Sequence, residues 1–109
     1  MSRLLVLPSA ELDIREAADW YEGEEDGLGG QFVDELRHIV RRISDLPSQF
    51  PDVGRGGVRR ALLKRFPYAV YFLLRGEGNE RAVVILAVLH QRRSPSVWKK
   101  RVRGEGTTG

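Results

Sequence analysis

Ten side chains in the second half of the chain could do chemistry on a polyanion: Arg59, Arg60, Lys64, Arg65, His90, Arg92, Arg93, Lys99, Lys100 and Arg101. Metal-free cleavage of RNA needs a base to activate a 2′-hydroxyl, an acid for the leaving 5′-oxygen, and cations for the charged transition state. His90 has the right chemistry for the acid or base, and Arg59 and Arg93 for the cations. Trp98 or Tyr71 offers a ring on which a base could stack. The same residues also suit purely structural roles. Arginines flanking strands keep sheet edges soluble, and a histidine at a strand end serves as a structural hydrogen-bonding group.

Other chemistries lack their residues. The chain has no cysteine and two histidines, His38 and His90, far apart in sequence. No HExxH or comparable ligand pair occurs, so neither a metal site nor any other cofactor is expected. The acidic run Glu22, Glu24, Glu25 and Asp26 reads as a solvated helix end. Gly54–Arg55–Gly56–Gly57 lacks the GK[ST] ending of a phosphate loop and precedes a strand rather than a helix. No GxSxG context surrounds any serine.

The charge distribution sharpens the polyanion reading. Residues 55–109 hold 13 Lys and Arg against 3 Asp and Glu, a balance of +10, and residues 1–54 hold 5 against 12, a balance of −7. The net charge of +3 conceals this division. A half this basic suits nucleic acid, a ribosome or an acidic protein partner. The absence of cysteine points to a reducing compartment. The apolar run Leu4–Leu7 is too short for a signal peptide, and no run approaches the ~20 residues of a membrane span. A cytoplasmic protein without membrane contact is expected.

These side chains must be positioned by a small fold. Arg3 to Leu7 reads as a short strand stopped by Pro8. Ser9 is placed to cap a helix whose apolar face is Ala10, Ile14, Ala17, Ala18 and Tyr21. Trp20 lies off that stripe, where it would suit a partner-binding groove. Gly27–Leu28–Gly29–Gly30 reads as a tight turn between antiparallel helices. A second helix is expected from about Gly30 to Leu46, with Phe32, Leu36, Ile39, Val40 and Ile43 as its stripe, ended by Pro47. Three strands follow: Val58–Lys64, Ala69–Leu74 and Ala82–Leu89. A corner at Arg65–Phe66–Pro67 and a hairpin turn at Gly76–Asn79 join them. The unbroken run Ala82–Leu89 reads as a central strand covered on both faces. Ser94–Pro95 opens one helical turn through Trp98, and Gly104–Gly109 is a flexible tail. The expectation is therefore an α+β fold of order βααβββ, a helical hairpin packed on a small twisted antiparallel β-sheet, as one domain over residues 1–103.

The segments RRALLKRFPYAVYF and VVILAVLHQRRSPSVW resemble the RelE/ParE superfamily of toxins from type II toxin–antitoxin systems. DIREAADWYEGEEDGLGGQFVDELRHIVRRISDLPSQFP resembles the helical hairpin of its ParE-like, plasmid-stabilisation branch. The resemblance implies a cognate antitoxin that wraps the toxin, with Trp20, Tyr21, Arg60 and Tyr71 as antitoxin contacts, and indirect contact with operator DNA through the complex. ParE-like members poison DNA gyrase, whereas RelE-like members cut mRNA on the ribosome. Arg59 falls where an RNase member has its first strand lysine, Ala61 where it has the second, and Tyr68 where it has a strand arginine. Arg92 and Arg93 cover the basic position after the last strand. No tyrosine follows Tyr71, and Trp98 cannot transfer a proton. These departures favour gyrase inhibition by binding, without catalysis. The target surface would be Arg59, Arg60, Lys64, Arg65, Arg92, Arg93, Trp98 and Lys99. The alternatives are an mRNA endonuclease using Arg59, His90 and Arg93, and a degenerate, non-toxic antitoxin-binding subunit.

Overall fold

The computed structural model describes residues 3–54, 56–93 and 95–108, the stretch 105–108 for its backbone only. Arg55, Ser94 and Gly109, which belong to the glycine-rich loop, the expected last helical turn and the expected tail, lie outside the described residues. In chain order the elements are β1 (Arg3–Val6), α1 (Pro8–Glu24), α2 (Leu28–Asp45), β2 (Arg59–Leu62), β3 (Tyr68–Arg75), β4 (Ala82–His90) and α3 (Ser96–Thr108). The strands form one sheet in the order β1-β4-β3-β2. The α+β order is as the sequence predicts, but the sheet is mixed. β1 runs parallel to β4, with Arg3 opposite Ala82 and Val6 opposite Ile85, and the other pairs are antiparallel.

The helical hairpin forms for reasons visible in the residues. In α2, Gly29, Phe32, Leu36, Ile39 and Ile43 are buried at helical spacing, so one stripe meets the sheet. Pro8, rather than Ser9, sets the start of α1: it stands in the first turn, and the cap position, Leu7, makes no side-chain bond. Proline suits that place because its φ is already helical and its missing N–H has no partner there anyway. The turn between the helices is shorter than the glycines suggest, because Leu28 to Gly30 are already helical. The Glu22 carboxylate accepts the N–H groups of Gly27 and Gly29, both at 2.9 Å. It thereby satisfies otherwise free donors at the start of α2. A Cβ on Gly29 would lie 2.5 Å from the Ala18 carbonyl oxygen, so only glycine lets the two helices approach this closely.

Each face of the sheet has its own core. The hairpin face joins Ala61, Val70, Phe72, Val83, Ile85 and Val88 to the buried residues of α1 and α2. The opposite face joins Ala69, Tyr71, Leu73, Val84, Leu86, Ala87 and Leu89 to Trp98 of α3. β4 is thus an interior strand covered on both sides, as its unbroken apolar run predicts. Its register slips once: Tyr71 stands opposite Ala87, but Phe72 stands opposite Ile85. Leu86 is the extra residue of a β-bulge. Leu86 and Ala87 both join the opposite face, and Val88 returns to the hairpin face.

The single turn expected through Trp98 is the beginning of a longer helix, which runs through Thr108 where a loose tail is expected. Trp98 is 4% exposed, and Arg101 is tied down one turn later. With its first turn fixed, each added helical residue gains a hydrogen bond without a new nucleation cost.

Candidate functional site

The bulge decides where His90 goes. Strict alternation from Val83 and Ile85 would put His90 on the face of Trp98. One extra residue puts it with Val88 on the hairpin side. There it stands opposite Tyr68 in register, with ring centroids 5.5 Å apart. The backbone then folds back: the Arg92 N–H donates to His90 Nδ1 at 3.1 Å, and the Arg93 N–H donates to the His90 carbonyl at 2.9 Å. Arg93 joins Tyr68, His90, Trp20, Glu16 and Asp13 around a pocket of about 210 Å³. Burial raises the Tyr68 hydroxyl above its ordinary pKa, with Arg93 lowering it and Asp13 raising it further. The phenol is therefore protonated at neutral pH and is a donor there, not a base. Burial likewise raises Tyr21, helped by Tyr68.

The other cations stand elsewhere. Arg59 lies on β2, where its Nη1 donates to the Phe50 carbonyl at 2.6 Å. Its cross-strand partner is Phe72, whereas that of His90 is Tyr68. That is four residues, on the order of 13 Å along the strand, and two strand spacings of about 5 Å across it. Arg59 and the His90–Arg93 pair therefore do not converge. Arg65 donates through Nη2 to Gln31 Oε1 at 2.6 Å, and the Glu35 carboxylate accepts the backbone N–H groups of Lys64 and Arg65. Trp98 is buried and stacked on Tyr71, with centroids 5.5 Å apart and planes at 19°, so it presents no free face to a base. Lys99 lies over the Trp98 ring at 5.8 Å, and Arg92 and Lys99 are exposed.

The residues expected to meet an antitoxin divide between the two faces. Trp20, 60% exposed, packs edge-on against Tyr21, and Tyr21 stacks on Phe32 under the hairpin. Arg60 and Tyr71 are cross-strand partners on the face that α3 covers.

The sequence does not single out the pair that organises this region. β1 ends at Val6, opposite Ile85, so β4 continues beyond it with an uncovered backbone edge. Asp13 Oδ2 accepts the Val88 N–H at 3.0 Å, and Arg101 Nη1 donates to the Leu86 carbonyl at 3.0 Å. The two side chains also bond each other at 2.6 and 3.1 Å, as a two-pronged pair. An aspartate from α1 and an arginine from α3 thus stand in for a missing strand at the bulge, and they fasten α3 to the hairpin. Residues 88 positions apart carry no local signal that they meet.

Among the described residues no group of three or more His, Cys, Asp and Glu could hold a metal ion. No helix there is long and apolar enough to cross a membrane.

Comparison with known proteins adds the family. A model of the family described as ParE toxin of type II toxin-antitoxin system, parDE, matches residues 4–95. No curated protein matches the chain. A solved structure of the chromosomal ParDE TA system from P. aeruginosa has a chain that superposes with a TM-score of 0.66 at 22% identity. The match covers 83% of this chain and 96% of that one, and at this identity it speaks to the fold.

Proposed function

This chain belongs to the ParE toxin family of type II toxin–antitoxin systems, and we propose that it arrests growth by binding and inhibiting DNA gyrase until a cognate antitoxin neutralises it. One observation carries the choice of a binding mechanism over nucleolysis: Arg59 is tethered at one side of the sheet while His90 and Arg93 share a pocket at the other. RNA cleavage needs its base, acid and cations around one phosphate. A gyrase poison needs only a surface. Arg92, Arg93 and Lys99 are exposed and supply positive charge suited to a negatively charged target. Such a target places the toxin's action in the cytoplasm, and operator DNA would be reached through the antitoxin complex.

The endonuclease reading keeps one support, the grouping of His90, protonated Tyr68 and Arg93 in a single pocket. The test is a pair of assays on the purified full chain. Relaxed plasmid with gyrase and ATP reports supercoiling, and mRNA in a translating extract reports cleavage. Loss of supercoiling with intact mRNA is expected. Cleaved mRNA with normal supercoiling would overturn the reading. Inactivity in both assays, with harmless expression in cells lacking antitoxin, would identify a degenerate subunit.

A further inference from the structure

The positive charge of this chain is not gathered in one place. Arg92, Arg93 and Lys99 follow β4, but a second group stands where α2 passes the corner between β2 and β3. Glu35, His38 and Arg42 of α2 and Lys64 and Arg65 of the corner line a cleft of about 230 Å³, with Ile39 and Leu62 as its apolar residues. Arg42, His38, Lys64 and Arg65 are all exposed.

Two of these cations are held in position before any ligand arrives. Arg42 lies over the Phe50 ring at 5.7 Å, and Arg65 over the Phe66 ring at 5.9 Å. Both rings are buried, so the guanidinium groups rest on the core instead of swinging through solvent. Arg65 also donates to Gln31 Oε1 at 2.6 Å, which leaves most of its five N–H donors for a ligand. Glu35 is the one acidic residue of the lining. Its carboxylate is engaged by the backbone N–H groups of Lys64 and Arg65 and so ties the corner to α2. Among the described residues the Lys64 ammonium and the His38 ring have no hydrogen-bond or ion-pair partner.

We propose that this cleft binds the phosphate backbone of duplex DNA. A guanidinium fork matches two phosphate oxygens, and the Lys64 ammonium adds a point charge. His38 and Arg42 stand one turn apart, about 6 Å along α2, so the donors follow a line rather than a point. Single strands are bound by stacking bases on exposed rings, whereas the rings here lie buried beneath the arginines. A protein partner needs apolar anchors, and Leu62, 47% exposed, is the one apolar side chain the cleft offers at the surface. Contacts to the backbone alone carry no base preference. The inference rests on the gyrase reading for its setting: gyrase works on DNA, so a toxin bound there would hold the enzyme and its substrate together.

The test is fluorescence anisotropy of a short labelled duplex of mixed sequence, titrated with the full chain without gyrase or antitoxin. Binding should be indifferent to base sequence and should weaken steeply with salt. The Arg42→Gln, Lys64→Gln double variant should bind at least about tenfold more weakly, and its log–log salt slope should be shallower by about two, close to one unit per lost phosphate contact. The Arg3→Gln, Arg81→Gln variant removes the same charge on the β1 side of the sheet. It should bind within about twofold of wild type, since distant exposed charges are screened. If the first variant melts early, Lys64→Gln alone decides, and its slope should be shallower by about one. No binding, equal losses in the two double variants, tighter binding of double-stranded RNA, or a polyglutamate peptide bound as tightly as the duplex would overturn the proposal. So would a loss seen only on Arg92→Gln, Lys99→Gln, which would move the DNA to the other basic group. Failure in this assay leaves the gyrase reading standing, because no gyrase is present. A chain that binds the duplex and leaves supercoiling untouched would sink that reading and not this site.

Discussion

The two faces of the sheet are covered in different ways. Over the hairpin face lie two long helices, and the rings of Tyr21, Phe32, Phe66 and Tyr68 pack against one another with centroids between 4.8 and 6.0 Å apart. Over the opposite face lies one helix, held by the stacked Trp98, the partly buried Val97 and Val102 and one arginine clamp. The sequence of that helix includes Gly104 and Gly106, which are poor helix formers. The hairpin contributes many buried side chains to the first face, whereas α3 contributes one buried ring and two partly buried valines to the second. The first should behave as the cooperative body of the fold, and the second as a cover that can be loosened separately.

The largest test of that contrast is Phe32→Ala. Phe32 is fully buried at the centre of the aromatic cluster, and its loss should cost about 3–5 kcal/mol. Denaturant unfolding should show one transition shifted as a whole. A split transition would mean that the hairpin face is not the cooperative body. Asp13→Ala should cost less, about 1–3 kcal/mol, because it leaves Arg101 and the Val88 N–H without their acceptor at a partly solvated site. Its signature is regional: amide exchange should accelerate in α3 and at the β4 bulge while α2 keeps its protection. Uniform acceleration would show that α3 does not open independently. Glu22→Ala removes the carboxylate that caps α2 and should cost about 1 kcal/mol, read as a small fall in melting temperature and faster exchange at Gly27 and Gly29.

The smallest effect expected is one of pH. Burial holds the folded-state pKa values of Tyr21 and Tyr68 above the ordinary tyrosine value of about 10. The folded protein therefore holds these protons where the unfolded chain releases them. Their contribution is fully present below about pH 10 and is lost as pH rises through the folded values. A Tyr21→Phe, Tyr68→Phe variant should show a shallower loss of stability above pH 10 than the parent. An equal slope would place the origin of alkaline unfolding elsewhere.

Much of this was legible without coordinates. The stripe Phe32, Leu36, Ile39 and Ile43 announces a helix with one buried face, and the apolar run from Ala82 to Leu89 announces a strand with two, because both periodicities follow from local backbone geometry. The helix boundaries were less legible. Glycine marks a break in general, but Leu28–Gly30 is helical because Glu22 caps it and Gly29 lets the helices touch. Neither condition is visible in that stretch alone. The parallel placement of β1 was likewise open, since a short apolar strand can pair at either edge. The length of α3 is hidden in the sequence for the same reason: its composition is poor, and its extent follows from where Trp98 and Arg101 are anchored.

The candidate site divides along the same line. Sequence by itself determined the basic half, the acidic half, the absence of thiol chemistry and the segments by which the family is recognised, because each depends only on which residues are present and in what order. Tertiary structure alone decided which of those residues meet. One inserted residue at Leu86 reverses the alternation of β4 and sends His90 to Tyr68 and Arg93 instead of to Trp98. An early end to β1 leaves two β4 backbone groups that Asp13 and Arg101 come to satisfy. A pattern of period two predicts faces only while the register holds, and register is set by the neighbouring strands.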